Sequence, residues 1–324
     1  KLILGGDCIE AFTKKKPNCP PEPDEGGGTS TPVQSFDPND ISGYVAESGS
    51  LYIGKQVDKV TYMIEFENDS TFATAPAHTI LLADTLDTNV FDVATVTPIK
   101  LQIGDKSHDF SSDFKGVATV DMRPEIDAIA QVSMKVDDKG VLTWVLESLD
   151  PMTMEPTTQP FNGILPVNDA EGAGMGFVTF SVNLKKGLQD GTEVANKANI
   201  IFDANEPIST PYWINETDYV DPVSVIDTLE CVSDSVINIK FHGIDERSGI
   251  WKYDLYVKLG VESEWFLIEE NVADSSYMYH VYDDITYGFC VVATDKAGNR
   301  EVKELYPDFI YLNGEVISGV EAIK

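Results

Sequence analysis

Residues 191–213 read GTEVANKANIIFDANEPISTPYW, and this stretch decides the fold class of the chain. Ala198, Ile200 and Phe202 occupy alternate positions, the two-residue period of a β-strand that buries one face. An acidic turn with the pattern Asp-x-Asn follows at 203–205, and a polar, proline-containing exit leads into a second domain. The stretch therefore predicts all-β modules joined in series, and it indicates an extracellular protein.

The remainder of residues 35–213 carries the same kind of strand signal. The alternating or apolar runs are Val60–Phe66, Thr79–Ala83, Val132–Val136, Val141–Leu146 and Val178–Leu184. The sequence DDKG at 137–140 separates two of these runs and predicts a hairpin, with glycine where a positive φ is needed. One helical turn is predicted near Pro124–Ala130. Short strands separated by turn residues indicate a β-sandwich.

Residues 223–314 predict a second sandwich after a polar connector. Ile237, Ile239 and Phe241 share one face of a strand, and the run Tyr287–Ala293 has the clearest alternation in the chain. Tyr287 stands near the start of the penultimate strand, where a tyrosine corner is found in immunoglobulin-like domains. About seven short strands in this order predict an immunoglobulin-like or fibronectin type III-like fold.

These patterns predict five segments. They are an upstream remnant with a Pro/Gly-rich linker at 1–34, a larger β-sandwich at 35–213, a connector at 214–222, a fibronectin type III-like domain at 223–314 and a C-terminal tail at 315–324. The fold class is all-β, with two tandem β-sandwiches.

The charge and the hydropathy each argue against one class of partner. The chain has 23 basic and 54 acidic side chains among its 324 residues, a formal charge of −31. Such a surface repels phosphate backbones and anionic lipid, so we expect no nucleic acid partner. No run of 18 apolar residues is present, so we also expect no membrane insertion in this fragment. The chain begins without a methionine, and we interpret it as a processed fragment of a longer protein.

Four cysteines are too few for a disulfide scaffold in a chain of this length. Cys8 and Cys19 flank a short loop and are candidates for a local disulfide. Cys231 and Cys290 lie in the second sandwich, where the alternation of its strand predicts that Cys290 faces outward. The redox state of all four is left open.

Several motifs together resemble a tandem found in large secreted or surface bacterial proteins of unknown function. The first module resembles a conserved β-sandwich repeat of those proteins, and the second resembles the fibronectin type III-like domain that often follows it. The matching stretches are 35–40, 62–68, 73–77, 84–87, 148–153, 163–166 and 191–210 in the first module, and 245–250, 287–289 and 293–301 in the second. The resemblance implies an extracellular spacer, stalk element or adhesive surface.

Acidic turns are the candidate metal sites, and calcium is the one cofactor that the sequence suggests. Calcium binds six to eight oxygen ligands, often from Asp, Asn and backbone carbonyls. The candidate ligands are Asp37, Asn39, Asp40, Asp84, Asp87, Asp203 and Asn205. No segment matches the EF-hand loop. The alternative is that these side chains cap turns by hydrogen bonds to the backbone.

Aromatic residues give a second hypothesis, in which exposed rings stack on sugars. Tyr212 and Trp213 lie at the module junction, and Tyr277, Tyr279 and Tyr282 lie close together in the second domain. The alternative is that these rings belong to the core or the sheet surface.

No catalytic pattern emerges from the sequence. The four histidines fall in four distant segments, and the glycine-rich stretch 172–176 leads into a strand, so it lacks the helix N-terminus of a dinucleotide site.

The sequence therefore predicts a non-catalytic structural or adhesive fragment of a secreted or cell-surface bacterial protein, which spaces or presents other domains of the same polypeptide. The alternative is a module that binds a glycan or a host surface protein. A hydrolase is the third hypothesis, and it would require a pocket that unites residues far apart in sequence.

Overall fold

The computed structural model describes residues 39–112, 114–260 and 263–318. Every regular element in these residues is a β-strand, as predicted. Within the same residues, no helix has the length and hydropathy needed to span a bilayer. The strands are β1 (Asp40–Ser42), β2 (Tyr52–Gly54), β3 (Lys59–Glu67), β4 (Thr79–Thr85), β5 (Phe91–Ile103), β6 (Lys106–Asp109), β7 (Val117–Asp121), β8 (Ile129–Val136), β9 (Val141–Leu149), β10 (Met175–Leu184), β11 (Glu193–Asn196), β12 (Ala198–Phe202), β13 (Ile208–Ser209), β14 (Trp213–Asp218), β15 (Val223–Ser233), β16 (Val236–Ile244), β17 (Ile250–Leu259), β18 (Trp265–Val272), β19 (Ser276–His280), β20 (Tyr287–Asp295), β21 (Phe309–Leu312) and β22 (Glu315–Ser318).

The chain forms two compact units, and each is built from separate segments. The first unit contains the described residues up to 43, together with 59–185 and 195–213. The second contains 44–58, 186–194 and the residues from 214 onward. The polypeptide therefore passes from one unit to the other five times, the last time between residues 213 and 214.

The first unit is a sandwich of two antiparallel sheets. One sheet has the order β1-β3-β10-β5-β6, and the other has the order β13-β12-β4-β9-β8-β7. The predicted alternation places Tyr62, Phe180 and Trp144 in the core, each with no exposed surface. Gly140 lies at φ +85° in the predicted hairpin between β8 and β9, a conformation that glycine adopts without strain.

The helical turn predicted near Pro124–Ala130 is wrong. Residues 123–127 form turns and bends, and Ile129 already begins β8. That strand pairs with β7 on one side and β9 on the other. Seven residues are too few for a stable isolated helix; the last two, Ile129 and Ala130, pair within β8, and the others belong to the loop between β7 and β8.

The second unit contains the predicted immunoglobulin-like sandwich of the fibronectin type III class. Its sheets have the orders β15-β16-β19 and β18-β17-β20-β21-β22, and their inner faces share one core. Phe241 and Tyr253 meet across this core with ring centroids 4.9 Å apart. Tyr287 forms the predicted tyrosine corner, because its hydroxyl accepts a hydrogen bond from the backbone N–H of Tyr282 at 2.9 Å.

The two cysteines of this unit are both free. Cys231 is exposed, but the outward orientation predicted for Cys290 does not expose it, since only 1% of the residue is accessible. Every residue of β20 is buried, so both faces of this strand are covered. Burial raises the pKa of the Cys290 thiol to about 12. The predicted Cys8–Cys19 disulfide lies outside the described residues.

Candidate metal centre

Three chain segments converge at one end of the fibronectin type III-like sandwich. Strand β15 begins where β16 ends, with Val223 opposite Ile244. Strand β17 begins where β20 ends, with Ile250 opposite Asp295. The connector before β15, the loop after β16 and the turn after β20 therefore meet at the same end. Each contributes one aspartate, namely Asp218, Asp245 and Asp295.

The three carboxylates form a compact cluster. One oxygen of each lies within 4.8 Å of the corresponding oxygens of the other two. Asp218 and Asp295 have no exposed surface, and Asp245 is partly buried. Carboxylates are rarely buried unless they are paired with a cation or a metal, so this burial distinguishes the cluster from ordinary surface acidity.

Backbone donors fix the orientation of each carboxylate. Asp218 Oδ2 accepts from the N–H of Ser248 at 3.0 Å, and Asp245 Oδ2 accepts from the N–H of Gly249 at 2.7 Å. Asp295 accepts from both the N–H and the side-chain amide of Asn299, each at 2.8 Å. The second oxygen of Asp245, Oδ1, is buried and finds no hydrogen-bond partner among the described residues.

The negative charges of the three carboxylates would be stabilised by a bound cation or by a proton. Burial raises the pKa of Asp295 to about 6, and the negative charges of Asp218 and Asp245 act in the same direction. Burial also raises the pKa of Asp218, with a further contribution from Asp245. Among the described residues, no Lys, Arg or His forms an ion pair with these three carboxylates. Two nearby cations pair with other carboxylates: Arg247 with Asp190 and Glu216, and Lys55 with Asp221.

Asn299 links the cluster to the connector. Its side-chain amide donates to the carbonyl oxygen of Asp218 at 2.8 Å as well as to Asp295, and its Oδ1 accepts from the N–H of Lys55 at 2.9 Å. The residue is completely buried. One asparagine therefore joins the turn after β20 to the connector and to the segment 44–58, all within the second unit.

The spacing of the cluster suits a divalent cation of the calcium type. Calcium lies 2.3–2.6 Å from its oxygen ligands, so ligand oxygens around one ion are separated by roughly 3–5 Å. Three carboxylates within 4.8 Å meet this requirement, and backbone oxygens and water would complete the coordination. Among the described residues, this is the group of three acidic, histidine or cysteine side chains with such spacing.

The residues predicted from the sequence as calcium ligands do not belong to this cluster. Asp203 lies at φ 51° and accepts from the N–H groups of His78 and Thr79, and Asp87 accepts from the N–H of Asn89. Asp87 forms a local turn-capping bond of the kind that the alternative interpretation describes, whereas Asp203 bonds its turn to the start of β4. Asp40 accepts from the N–H of Ile41.

The other predicted ligands have varied surroundings. Asn39 is buried and accepts from the N–H of Glu67, and Asn205 is exposed in the turn after β12. Asp84 is completely buried inside β4, where it accepts from the side-chain amide of Asn196 at 2.8 Å. Asp37 lies outside the described residues. Calcium binding by these seven residues stays a prediction.

The predicted sugar-stacking rings are likewise dispersed. Tyr212 is 58% exposed, with the Lys197 ammonium 4.7 Å from its ring centroid. Tyr277 and Tyr279 are partly buried against the core of the second unit, whereas Tyr282 is 71% exposed.

Sequence reasoning missed the cluster because its members are 27 and 50 residues apart along the chain. Once a fibronectin type III-like order of strands is assumed, however, both loops and the connector belong to the same end of the sandwich. An acidic residue in each of these three segments is therefore a signal that the sequence does contain.

The comparisons with known proteins identify the family. The chain belongs to the family described as "Domain of unknown function (DUF7619)", whose model matches residues 37–153 and 131–216, more than half of the chain. No curated protein matches it.

Several solved structures are similar at low identity. A collagen-binding domain from a Staphylococcus aureus adhesin is 11% identical, with a TM-score of 0.30, over 57% of this chain and 99% of that one. Fibronectin(III)-like modules of Clostridium thermocellum CbhA are 10% identical, with a TM-score of 0.30, over 82% and 90%. Domains D2 and D3 of the major pilin SpaD from Corynebacterium diphtheriae are 16% identical, with a TM-score of 0.31, over 79% and 83%.

Proposed function

We propose that this chain is a non-catalytic structural segment of an extracellular bacterial protein, and that calcium bound by Asp218, Asp245 and Asp295 stabilises its second unit. The observation that carries the proposal is the convergence of three carboxylates, two of them completely buried, without a paired cation among the described residues. The resemblance to modules of large surface proteins supports the structural role.

Calcium would add a direct link between three segments that hydrogen bonds and the Arg247–Glu216 ion pair already connect. The ion would neutralise Asp218 and Asp295, because burial and, to a smaller extent, mutual repulsion raise the pKa of both carboxylates. Because one ligand lies in the connector, the same ion would fix the connector on the sandwich that follows it. Calcium concentrations outside cells are compatible with the weak sites typical of extracellular modules.

Thermal unfolding with millimolar calcium, with magnesium and with chelator tests this proposal. Binding to the native state raises its stability by RT ln(1 + [L]/Kd), or about 2.7 kcal/mol when calcium is present at one hundred times its Kd. We expect calcium to raise the melting temperature of the second unit and magnesium to have little effect, because magnesium requires a tighter octahedral site.

Two neighbouring substitutions locate the site. Asp245→Asn keeps an oxygen for the N–H of Gly249 but removes one charge, and it should abolish most of the calcium effect. Glu246→Gln removes the same charge from an exposed neighbour and should leave the effect unchanged. Identical melts with calcium and chelator would refute calcium binding. A calcium effect that survives in Asp245→Asn would move the site to the acidic turns predicted from the sequence.

A second candidate function, adhesion to a protein partner, is favoured by apolar side chains on loops of the first unit. Phe72, Met152 and Phe161 are 84%, 94% and 82% exposed. Their loops are connected, since the side-chain amide of Asn68 donates to the carbonyl oxygens of Ala75 and Leu165. A contiguous apolar patch formed by these loops would be typical of an interaction surface.

Replacing all three exposed residues by serine tests the adhesive role. Binding to immobilised collagen, fibrinogen and fibronectin should fall in the triple variant but not in Val302→Ser, which removes an 82% exposed apolar side chain from the second unit. Equal binding by both variants would rule out this surface.

A further inference from the structure

The second unit contains a cleft of about 570 Å³ that the proposed structural role does not use. One wall is the segment around Ser48 and Gln56, and the floor is the turn 296–298 with the adjoining strand β17. Hydrogen bonds from Ser48 Oγ to the Lys296 carbonyl and from Gln56 Nε2 to the Ala297 carbonyl hold the wall on the floor. The cleft is therefore pre-formed, and its volume is in the range of small-molecule sites.

Irregularities of the backbone coincide with this cleft. Trp251 is the extra residue of a β-bulge, because Ile250 and Lys252 pair with the consecutive residues Asp295 and Thr294 of β20. On the other side of β17, Asn271 lies at φ 59° where the pairing of β18 shifts register. Bulges re-aim side chains and are frequent beside functional sites, as are non-glycine residues with positive φ. Trp251 and Asn271 both line the cleft.

The polar side chains of the cleft are held in fixed positions. The Asp254 carboxylate accepts from the Arg300 guanidinium and, at 3.0 Å, from the N–H of Asn271. Arg300 also donates to the Tyr256 hydroxyl at 2.8 Å. The Asp254 side chain is 16% exposed and that of Arg300 is 45% exposed, so a planar, pre-oriented donor faces the open part of the cleft.

The charge of the cleft differs from that of the whole chain. Three acidic side chains (Glu47, Asp254 and Glu270) and three basic ones (Lys252, Lys296 and Arg300) line it, so its formal charge is zero, whereas the chain carries −31. The Lys252 ammonium lies over one face of the Trp251 indole, 4.1 Å from its centroid, so a ligand would stack on the opposite face. An electrically balanced cleft that is lined by charged side chains and one indole disfavours both anions and purely apolar ligands.

We propose that this cleft binds a neutral saccharide, with the apolar face of one sugar ring on Trp251 and its hydroxyl groups hydrogen-bonded to Arg300 and Asp254. Indole supplies a large apolar surface at a low cost in conformational entropy. The guanidinium and carboxylate supply a donor and an acceptor side by side, which matches the paired hydroxyl groups of a pyranose ring. The cleft and the three-aspartate cluster share no residue, although the turn 296–298 at the floor of the cleft follows Asp295 directly.

Isothermal titration with neutral hexasaccharides tests the proposal. The probes are cellohexaose, xylohexaose, laminarihexaose and chitohexaose, titrated into the whole chain in the presence of chelator. We expect at least one to bind and to change the fluorescence of Trp251. Trp251→Ala should weaken that binding roughly tenfold or more, the loss expected for a central aromatic contact. Trp265→Ala, which removes a partly exposed indole from β18 outside the cleft, should leave it unchanged.

A second variant and two further probes make the outcome decisive. Arg300→Lys keeps the charge but removes the planar donor pair, so it should also weaken binding while the melting temperature reports that the fold is intact. Oligogalacturonate, an anionic sugar, should not bind. Absence of binding by all four neutral sugars, or equal affinity in Trp251→Ala, would overturn the proposal. Binding of a collagen-like Gly-Pro-Pro peptide in place of the sugars would assign the cleft to a protein partner instead.

Discussion

Asp84 gives the first unit a pH dependence that a single substitution should remove. Its carboxylate is completely buried in β4, and Asn196 is its hydrogen-bond partner. Within the part of the chain that the structure describes, the other oxygen, Oδ1, has no hydrogen-bond partner, and neither does the buried hydroxyl of Tyr62. Burial raises the pKa of Asp84 from 3.8 to about 7, and the bond from Asn196 offsets only part of this effect.

The sign of the effect follows from proton linkage. Because the pKa of Asp84 is higher in the folded protein, the folded state binds a proton more tightly than the unfolded state does. The free energy of unfolding therefore falls as the pH rises from about 4 to about 7, and this group contributes no further change above that range. One pKa unit corresponds to about 1.4 kcal/mol, so the total loss is on the order of 4 kcal/mol.

Asp84→Asn should abolish this loss. The new amide oxygen still accepts from Asn196, and no charge has to be buried at high pH. We expect the variant and the unsubstituted chain to be similarly stable near pH 4. Near pH 8 the variant should be more stable, by up to about 4 kcal/mol.

Urea unfolding of the first unit at a series of pH values measures the difference. A background with Trp251→Phe and Trp265→Phe leaves Trp144 and Trp213 as the fluorophores, both of which belong to the first unit. Asp138→Asn, an exposed charge in the hairpin between β8 and β9, is the matched control and should give a flat difference. If the free energies of unfolding of Asp84→Asn and the unsubstituted chain changed in parallel with pH, the reasoning would be refuted, because the charge of Asp84 would then not destabilise the folded state.

Three further predictions concern the second unit. Tyr287→Phe removes the acceptor of the Tyr282 N–H, so urea unfolding should show a loss of about 1 kcal/mol, and no loss would mean that the tyrosine corner contributes nothing. Asn299→Ala leaves several buried groups of the connector and the 44–58 segment unpaired, so the free energy of unfolding should fall by about 3 kcal/mol or more. Residues 214–222 should also become accessible to protease. Unchanged cleavage would show that other contacts hold the connector. Cys231 should react with an alkylating reagent in the native protein, whereas Cys290, with its buried thiol and a pKa of about 12, should react only on unfolding. Mass spectrometry of the labelled peptides distinguishes the two cysteines. Labelling of Cys290 in the native protein would contradict its burial.

Most of the strands could be predicted because each buries one face, and the alternation of apolar residues records that burial directly. Val60, Tyr62, Ile64 and Phe66 are all completely buried, as their spacing indicates. The tyrosine corner could be predicted for the same reason, since it depends on the position of Tyr287 along one strand.

What could not be predicted depends on segments that are far apart in sequence. The exposure of Cys290 depends on what covers the second face of β20, which its own strand does not encode. The three-aspartate cluster requires the ends of three segments to be placed together, and Asp84 looked like a turn residue because the apolar run stops there. In the structure the strand continues through Thr85, and the carboxylate points into the core.

The repeated passage of the chain between its two units limits how recombination can move the coding sequence of either unit to another gene. A gene fragment that encodes residues 223–318 would carry the second sandwich but leave behind Ser48, Lys55 and Asp218, whose groups bond to that unit. No single cut separates the units, because the segments 44–58 and 186–194 are enclosed by the sequence of the other unit. Recombination can therefore transfer this pair between genes intact only as one cassette, and we expect the two folds to occur side by side wherever the family has spread.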